Sequence, residues 1–122
     1  MAFDKKAHSR EYEARPHTKA IRLARNAKKR AVKAGLPFNL TVEWIEERIL
    51  DGCPLSGMQF DLSPGMVNPF SPSVDRVKNH LGYTQDNCRV IIYGLNALKG
   101  TGTDADLLNI SKVVIDYNLT FE

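Results

Sequence analysis

Residues 72–99, PSVDRVKNHLGYTQDNCRVIIYGLNALK, decide the fold of this 122-residue chain. Two short apolar runs, at about 73–78 and 88–92, predict strands joined by a glycine-containing loop. The segment from about Tyr93 to Lys99 predicts a helix that follows the second strand directly. Four polar side chains surround this hairpin and helix: Asp75, His80, Asn87 and Asn96. The hairpin and the helix that follows it therefore carry the residues best suited to metal binding or catalysis.

Helices are predicted on both sides of this hairpin. The first begins at Pro16, carries an apolar stripe that is mostly alanine, and ends at Gly35. Thr41 is suited to cap a second helix that runs through Leu50. A last helix, capped by Thr103 or Asp104, carries an apolar stripe predicted to face the core, made of Leu107, Ile110, Val114 and Tyr117. The pattern predicts an α+β fold.

Composition limits the class of protein. A chain of 13.7 kDa with 43% hydrophobic residues is expected to form one domain over 15–122, preceded by a flexible basic tail over 1–14. No apolar run is long enough to span a bilayer, and the first residues do not form a secretory signal. Two cysteines are too few for a disulfide framework, so a reducing, cytoplasmic setting is expected.

Positive charge is concentrated in residues 15–35. No acid occurs between Glu13 and Glu43, an interval that carries Arg15, Lys19, Arg22, Arg25, Lys28, Lys29, Arg30 and Lys33. One-signed charge on a helix indicates a polyanionic partner, either nucleic acid or an anionic membrane surface. A basic helix that is merely solvated is the alternative.

In three segments of the hairpin region, the chain resembles the HNH endonucleases, the ββα-metal (His-Me finger) proteins. The motifs that carry the resemblance are S-V-D-R-V, then G-Y-T-x-D-N-x-R-V, then N-A-L-K. The upstream segments G-L-P-F-N-L-T-V-E-W-I, C-P-L-S-G-M-Q-F-D-L and N-P-F-S-P-S-V-D-R-V look like small phage-type members, several of which are homing endonucleases. The resemblance implies a hairpin-plus-helix core over 72–100, flanked by N-terminal helices and a C-terminal helix.

The resemblance also implies a function: hydrolysis of phosphodiester bonds in double-stranded DNA with Mg²⁺ or Mn²⁺. Carboxylate and amide oxygens suit these hard cations, and by resemblance Asp75 and Asn96 are the metal ligands. Asn87 matches the middle asparagine of the family, which ties the loop and orients the base. The predicted DNA contacts are Arg22, Arg25, Lys28, Lys29, Lys33, Arg89 and Lys99.

One position departs from the family pattern. Arg76 stands where the family has the histidine that acts as general base, and arginine stays protonated in proteins. Three interpretations stay open. Arg76 could stabilise the transition state, His80 could supply the imidazole, or the site could be inactive. We rank His80 first as the base and assign Arg76 to a phosphate.

A second departure concerns zinc. Many HNH proteins brace the hairpin with two C-x-x-C pairs, whereas here the corresponding positions keep only Cys53. We therefore expect no structural zinc and expect apolar packing to fill the space, from Leu55, Phe60, Ile91, Ile92 and Leu95. Cys53 and Cys88 are then expected to be small core residues.

The sequence thus predicts an HNH endonuclease, with a phage homing enzyme as one form and no membrane partner. A catalytically inactive DNA-binding protein with the same fold is the alternative, and an RNA- or anion-surface-binding module that uses only the basic helix is a third. The chain is expected to act as a monomer or a homodimer.

Overall fold

A computed structural model describes residues 4–120 of the chain. The element order is helix, helix, helix, hairpin, helix, helix. The helices are α1 (Lys5–Glu13), α2 (Pro16–Ala34), α3 (Val42–Asp51), α4 (Tyr93–Lys99) and α5 (Asp104–Thr120), and the strands are β1 (Pro72–Arg76) and β2 (Cys88–Ile92). The prediction of an α+β architecture is confirmed.

The boundaries of α2 and α3 follow from local stop and start signals. Pro16 occupies the first turn of α2, where its missing N–H has no partner to lose, and Gly35 ends the helix at a φ of 67°. The Thr41 hydroxyl accepts a hydrogen bond of 3.1 Å from the Trp44 N–H and caps α3. Both helices begin and end within one residue of the predicted positions.

The main core lies between α2, α3 and the hairpin. Buried alanines of α2 allow a close approach to Ile45 and Ile49 of α3, and Val74 and Val90 of the hairpin pack into the same cluster. A second cluster joins Cys53 to Ile91 and Ile92 with Leu55, Phe60 and Leu95 packed against it. This confirms the apolar packing predicted around Cys53.

The hairpin is antiparallel and pairs Asp75 directly with Arg89. The loop after β1 returns beside residues 37–39, where Phe38 and Tyr83 form an isolated bridge. The Tyr83 N–H donates to the Pro37 carbonyl at 2.9 Å. These contacts with the segment that follows α2 therefore fix the position of Tyr83 in the hairpin loop.

Two predictions about the chain ends need correction. Residues 5–13 form helix α1, with Asp4 as its N-cap, rather than a flexible basic tail. Bases and acids balance in 1–14, where Lys5, Lys6 and Arg10 occur with Asp4, Glu11 and Glu13. In α5 only Leu107 of the predicted core stripe is buried, because the helix extends beyond the body of the domain.

Within residues 4–120, none of the helices has the length and apolar character needed to span a membrane.

Candidate active site

A groove opens where β1 meets α4 and the flank of α2. Its volume is about 350 Å³, which at roughly 30 Å³ per water equals the space of about twelve waters. Residues that carry chemistry dominate its lining: Arg30, Ser73, Asp75, Arg76, Asn79, Tyr83, Tyr93 and Asn96. The groove therefore brings together the predicted metal ligands Asp75 and Asn96, together with Arg76.

Asp75 is held from two sides by cations. Its side chain is 3% exposed, its Oδ1 accepts from Lys99 Nζ at 3.0 Å, and its Oδ2 accepts from Arg89 Nε at 2.9 Å. The two donors come from α4 and β2, so the carboxylate cannot rotate without breaking a charge-assisted hydrogen bond. The side chain of Asp75 is therefore held in a fixed position where it lines the groove.

Lys99 and Arg89 lie elsewhere than predicted for DNA contacts. The Lys99 side chain is fully buried and also donates to the Arg76 carbonyl at 3.0 Å. Arg89 is 19% exposed and forms a bidentate pair with Asp104, with Nη1 at 2.9 Å from Oδ2. Both cations are occupied inside the domain, because their sequence positions place them beside Asp75 rather than on the outer surface.

The Arg89–Asp104 pair changes the protonation behaviour of both groups. Hydrogen bonds from Arg89 lower the pKa of the Asp104 carboxyl below its ordinary 3.8. The hydrogen bond to Asp104 in turn raises the pKa of the Arg89 guanidinium. The pair therefore stays charged at neutral pH and connects the start of α5 to the acid of the groove.

The Asn96 amide has a defined orientation. Its Nδ2 donates to Ser73 Oγ at 2.7 Å and to the Val74 carbonyl at 3.1 Å, and a carbonyl accepts only from the nitrogen side of an amide. The Oδ1 atom is consequently on the side that does not face β1. No hydrogen bond to this oxygen is formed within residues 4–120, so it remains available as a ligand atom.

The donor set fits a hard divalent cation. Asp75 and Asn96 offer carboxylate and amide oxygens, the ligand types that Mg²⁺ and Mn²⁺ prefer. Each carboxylate oxygen has two acceptor sites, of which Lys99 and Arg89 use one each. In the part of the chain that the structure describes, no cluster of three or more His, Cys, Asp or Glu side chains is present. A cation here would keep several waters, as Mg²⁺ commonly does.

Tyr83 is a groove residue that sequence reasoning missed. The Arg76 guanidinium lies over its ring at 4.6 Å from the centroid, and that of Arg30 lies at 5.4 Å. Arg30 Nε also donates to the Tyr83 hydroxyl at 3.2 Å. The sequence signal was the G-Y-T turn, which was assigned only to the loop, and its pairing with Arg30 becomes visible once α2 packs beside the hairpin.

His80 lies outside this groove. It is exposed and lines a neighbouring depression with Val77, Lys78 and the residues that connect α4 to α5. Arg76 Nη1 donates to the Asn79 carbonyl at 2.6 Å, so Arg76 connects the groove to the residue that precedes His80. The structure brings Arg76 to the site and does not bring His80 there.

Asn87 ties the loop between the two strands. Its Oδ1 accepts from the Lys78 N–H at 3.1 Å, and its Nδ2 donates to the carbonyls of Lys78 and Gly82 at 3.0 and 2.9 Å. The side chain is buried, and all of these bonds go to backbone. Asn87 therefore holds the loop that carries Tyr83. Of the two roles that the family resemblance implied for this asparagine, this is the one of tying the loop together.

The α2 residues that were predicted to contact DNA are exposed. At 100° per residue they lie opposite the buried alanine stripe, apart from Lys28 on one flank. Arg30 occupies the other flank and reaches the groove. The positive surface of α2, defined by Arg22, Arg25, Lys29 and Lys33, is thus separated from the groove only by the width of the helix.

No family model and no curated protein matches this chain. Among solved structures, it is similar to the rare-cutting HNH restriction endonuclease PacI, whose structure concerns the perturbation of DNA by that enzyme. The match has a TM-score of 0.58 and 18% sequence identity, and it covers 79% of this chain and 76% of that chain. The predicted HNH-type fold is therefore confirmed.

Proposed function

We propose that this protein is a divalent-metal-dependent DNA endonuclease whose active site is the groove at β1 and α4. The observation that carries the proposal is the arrangement of Asp75, Asn96 and Arg76 around one open cavity in an HNH-type fold. The structural neighbour PacI is a restriction endonuclease, and this supports the same class of reaction. A homing role is one form that such an enzyme could take.

In this proposal Asp75 and the Oδ1 of Asn96 hold Mg²⁺ or Mn²⁺. When bound, such an ion neutralises charge on the scissile phosphate and on the leaving 3′ oxygen. Lys99 and Arg89 keep the Asp75 carboxylate fixed, and Ser73 orients the Asn96 amide through its hydroxyl. The protein's contribution is thus a rigid pair of oxygen ligands that needs no reorganisation when substrate arrives.

Tyr83 is proposed to position the Arg30 and Arg76 guanidiniums in the groove, and the proton of the attacking water is proposed to pass to solvent rather than to His80. Tyr83 lines the groove, its hydroxyl accepts from Arg30 Nε at 3.2 Å, and both guanidiniums lie over its ring. His80 lines the neighbouring depression and not the groove, so it is not proposed as the base. Arg76 itself is proposed to contact the phosphate, as the sequence suggested.

DNA binding is proposed to use the positive surface of α2. Four phosphate contacts, from Arg22, Arg25, Lys29 and Lys33, would give a slope of about −3.6 for the logarithm of affinity against the logarithm of salt concentration. Lys28 lies at the edge of this surface. Contacts of this kind position DNA without reading its sequence.

A nicking assay on supercoiled plasmid tests the catalytic assignment. With Mg²⁺ or Mn²⁺ the wild type is expected to cleave, and EDTA is expected to abolish cleavage. Tyr83→Phe removes the hydroxyl that positions Arg30 and is expected to reduce the rate by up to about 10²-fold, the scale of displacing a positioned group by about 1 Å. His80→Ala is the matched control, since it alters the same loop outside the groove, and it should cleave at nearly the wild-type rate. A large loss in His80→Ala with normal Tyr83→Phe would reverse the assignment.

An inactive DNA-binding protein is the second candidate. The observation that favours it is the full pairing of Asp75 with two cations, which competes with metal binding. This candidate predicts salt-dependent DNA binding by fluorescence anisotropy, together with no cleavage under any metal condition. It also predicts that Asn96→Ala leaves DNA affinity unchanged in the presence of Mn²⁺, whereas the endonuclease proposal predicts weaker binding.

A further inference from the structure

One face of α4 forms a wall of the groove. The lining residues from this helix are Tyr93, Asn96, Ala97 and, at the C-cap, Gly100. Residues that follow the first by three, four and seven positions share one side of a helix, so Tyr93 lies about one turn, or roughly 5 Å, from Asn96. Tyr93 is therefore next to a proposed metal ligand, and the proposed reaction gives it no role.

Helix α4 runs beside β1 in the same direction as the strand. Each successive turn of the helix hydrogen-bonds to residues further along β1 and the position before it: Tyr93 to Ser71, Asn96 to Ser73 and Val74, and Lys99 to Asp75 and Arg76. Tyr93 is thus beside the beginning of the strand, whereas Arg76 is its last residue. The two side chains mark opposite ends of the groove.

The two ends of the groove differ in charge. Arg76 and Arg30 lie together over the Tyr83 ring at one end, and Asp75 precedes Arg76 on β1. Among residues 4–120, no other charged side chain lines the groove, so the Tyr93 end is uncharged and aromatic. A nucleotide has the same polarity, with an anionic phosphate at one end and a base that offers a π-face at the other. The groove therefore suits a phosphate together with its base.

The Tyr93 side chain is available for contact with a base. It is 46% exposed, and its hydroxyl forms no hydrogen bond within the described part of the chain. Tyr83, by contrast, is 6% exposed and already carries both guanidiniums on its ring. The backbone around Tyr93 is held by its own N–H bond to Ser71 and by the Gly94 N–H, which donates to the Pro69 carbonyl at 2.8 Å. A side chain on a fixed backbone loses less freedom when a ligand binds.

We propose that the Tyr93 end of the groove is a nucleobase site, in which the Tyr93 ring stacks on a base next to the scissile phosphate. This inference rests on the proposed function, since the phosphate at Arg76 and the ion at Asp75 determine which nucleotide lies there. Within a duplex the neighbouring bases cover both faces of a base, so the base must leave its stack to reach the ring. Leaving the stack costs least for a mismatched or single-stranded base. The protein is therefore expected to prefer DNA whose bases unstack easily.

Fluorescence anisotropy in EDTA, which is expected to prevent cleavage, tests this preference. The probes are a labelled duplex of about 20 base pairs and the same duplex with one central mismatch, which the wild type is expected to bind at least about fivefold more tightly. Tyr93→Ala should bind the mismatched duplex about 5- to 150-fold more weakly than the wild type, the range for loss of one base–aromatic stack, and should lose the preference. Tyr93→Phe keeps the ring and should keep the preference.

Phe70→Ala is the matched control. Phe70 is also 46% exposed and lies between two residues that hydrogen-bond to the start of α4, but it does not line the groove. This variant should bind both duplexes as the wild type does. Salt dependence separates stacking from charge: Tyr93→Ala should leave the slope of log affinity against log salt concentration unchanged, whereas Arg22→Gln should reduce its magnitude by about 0.9. Circular dichroism verifies that each variant is folded.

The proposal is overturned if Tyr93→Ala retains the preference for the mismatched duplex, or if Phe70→Ala loses it to the same extent. A wild type without the preference, or a Tyr93→Phe variant as weak as Tyr93→Ala, also overturns it, since the ring would not be the contact. Plasmid nicking with Mg²⁺ keeps the two proposals apart. Nicking by a wild type that lacks the preference removes the nucleobase site alone, whereas the preference without nicking removes the endonuclease and leaves the nucleobase site on a DNA-binding protein.

Discussion

Removing the negative charge of Asp75 is expected to destabilise the fold as well as the site. Asp75→Asn keeps the size of the side chain but leaves the fully buried Lys99 ammonium without its negative partner, so that only neutral acceptors such as the Arg76 carbonyl remain. Arg89 loses less, because it is partly exposed and retains Asp104. The penalty therefore falls mainly on Lys99.

The magnitude follows from the burial of this pair. Breaking a buried ion pair by removing one partner costs about 3–5 kcal/mol, and the lower end applies because one hydrogen bond to Lys99 remains. With a urea m-value of about 1.5 kcal/mol/M, a loss of about 3 kcal/mol lowers the unfolding midpoint by about 2 M. Asp86→Asn, at an exposed position in the loop between β1 and β2, is the matched control and should change the midpoint little.

Urea unfolding followed by circular dichroism in EDTA measures these values without any contribution from metal. The double variant Asp75→Asn/Lys99→Met removes the stranded ammonium and should lose less than the sum of the two single variants, with a coupling of about 2 kcal/mol. Additive losses, or an Asp75→Asn midpoint within about 0.3 M of the wild type, would refute the buried pair. Cleavage by Asp75 variants must accordingly be corrected for the folded fraction.

Three further predictions follow from particular contacts. The Arg89 hydrogen bonds lower the folded-state pKa of Asp104. The folded protein is therefore stabilised above the ordinary value of 3.8, and this stabilisation is lost as pH falls through the folded-state pKa. The urea midpoints of wild type and Asp104→Asn should accordingly differ at pH 7 and converge below about pH 4. Burial raises the pKa of the Cys88 thiol to about 11, so mass spectrometry should find Cys88 unalkylated by iodoacetamide at pH 8 in the native protein and alkylated after denaturation. Gly82→Ala would place a Cβ 2.5 Å from the Pro37 carbonyl oxygen, and thermal unfolding should show a loss of about 1–3 kcal/mol.

Local signals predicted the elements of the fold well. Pro16, Gly35 and Thr41 gave boundaries for α2 and α3 that agree with the structure, because capping depends on neighbours along the chain. The hairpin and α4 were predicted for the same reason. Asp75 and Asn96 were placed by family resemblance, and the antiparallel register with the adjoining helix brings them to one groove.

Features that depend on distant contacts were not predictable. Periodicity showed that α5 has an apolar face, but it could not show that the domain leaves most of that face uncovered. Lys99 is 24 residues from Asp75, so nothing local distinguished a buried partner from a surface cation. Tyr83 gained its place in the groove only through Arg30, which is 53 residues away.

The charges around Asp75 explain why metal and DNA would bind together in the proposed enzyme. Asp75 and Asp104 are matched by Lys99 and Arg89, so this cluster has no net charge. A divalent cation entering it gains little from the protein alone, and Arg30 and Arg76 at the groove wall oppose it further. A DNA phosphate reverses that balance, because it attracts both the guanidiniums and the cation. Affinity for Mn²⁺ should therefore be weak for the free protein and should rise when DNA lies in the groove, since each ligand supplies the charge that the other lacks.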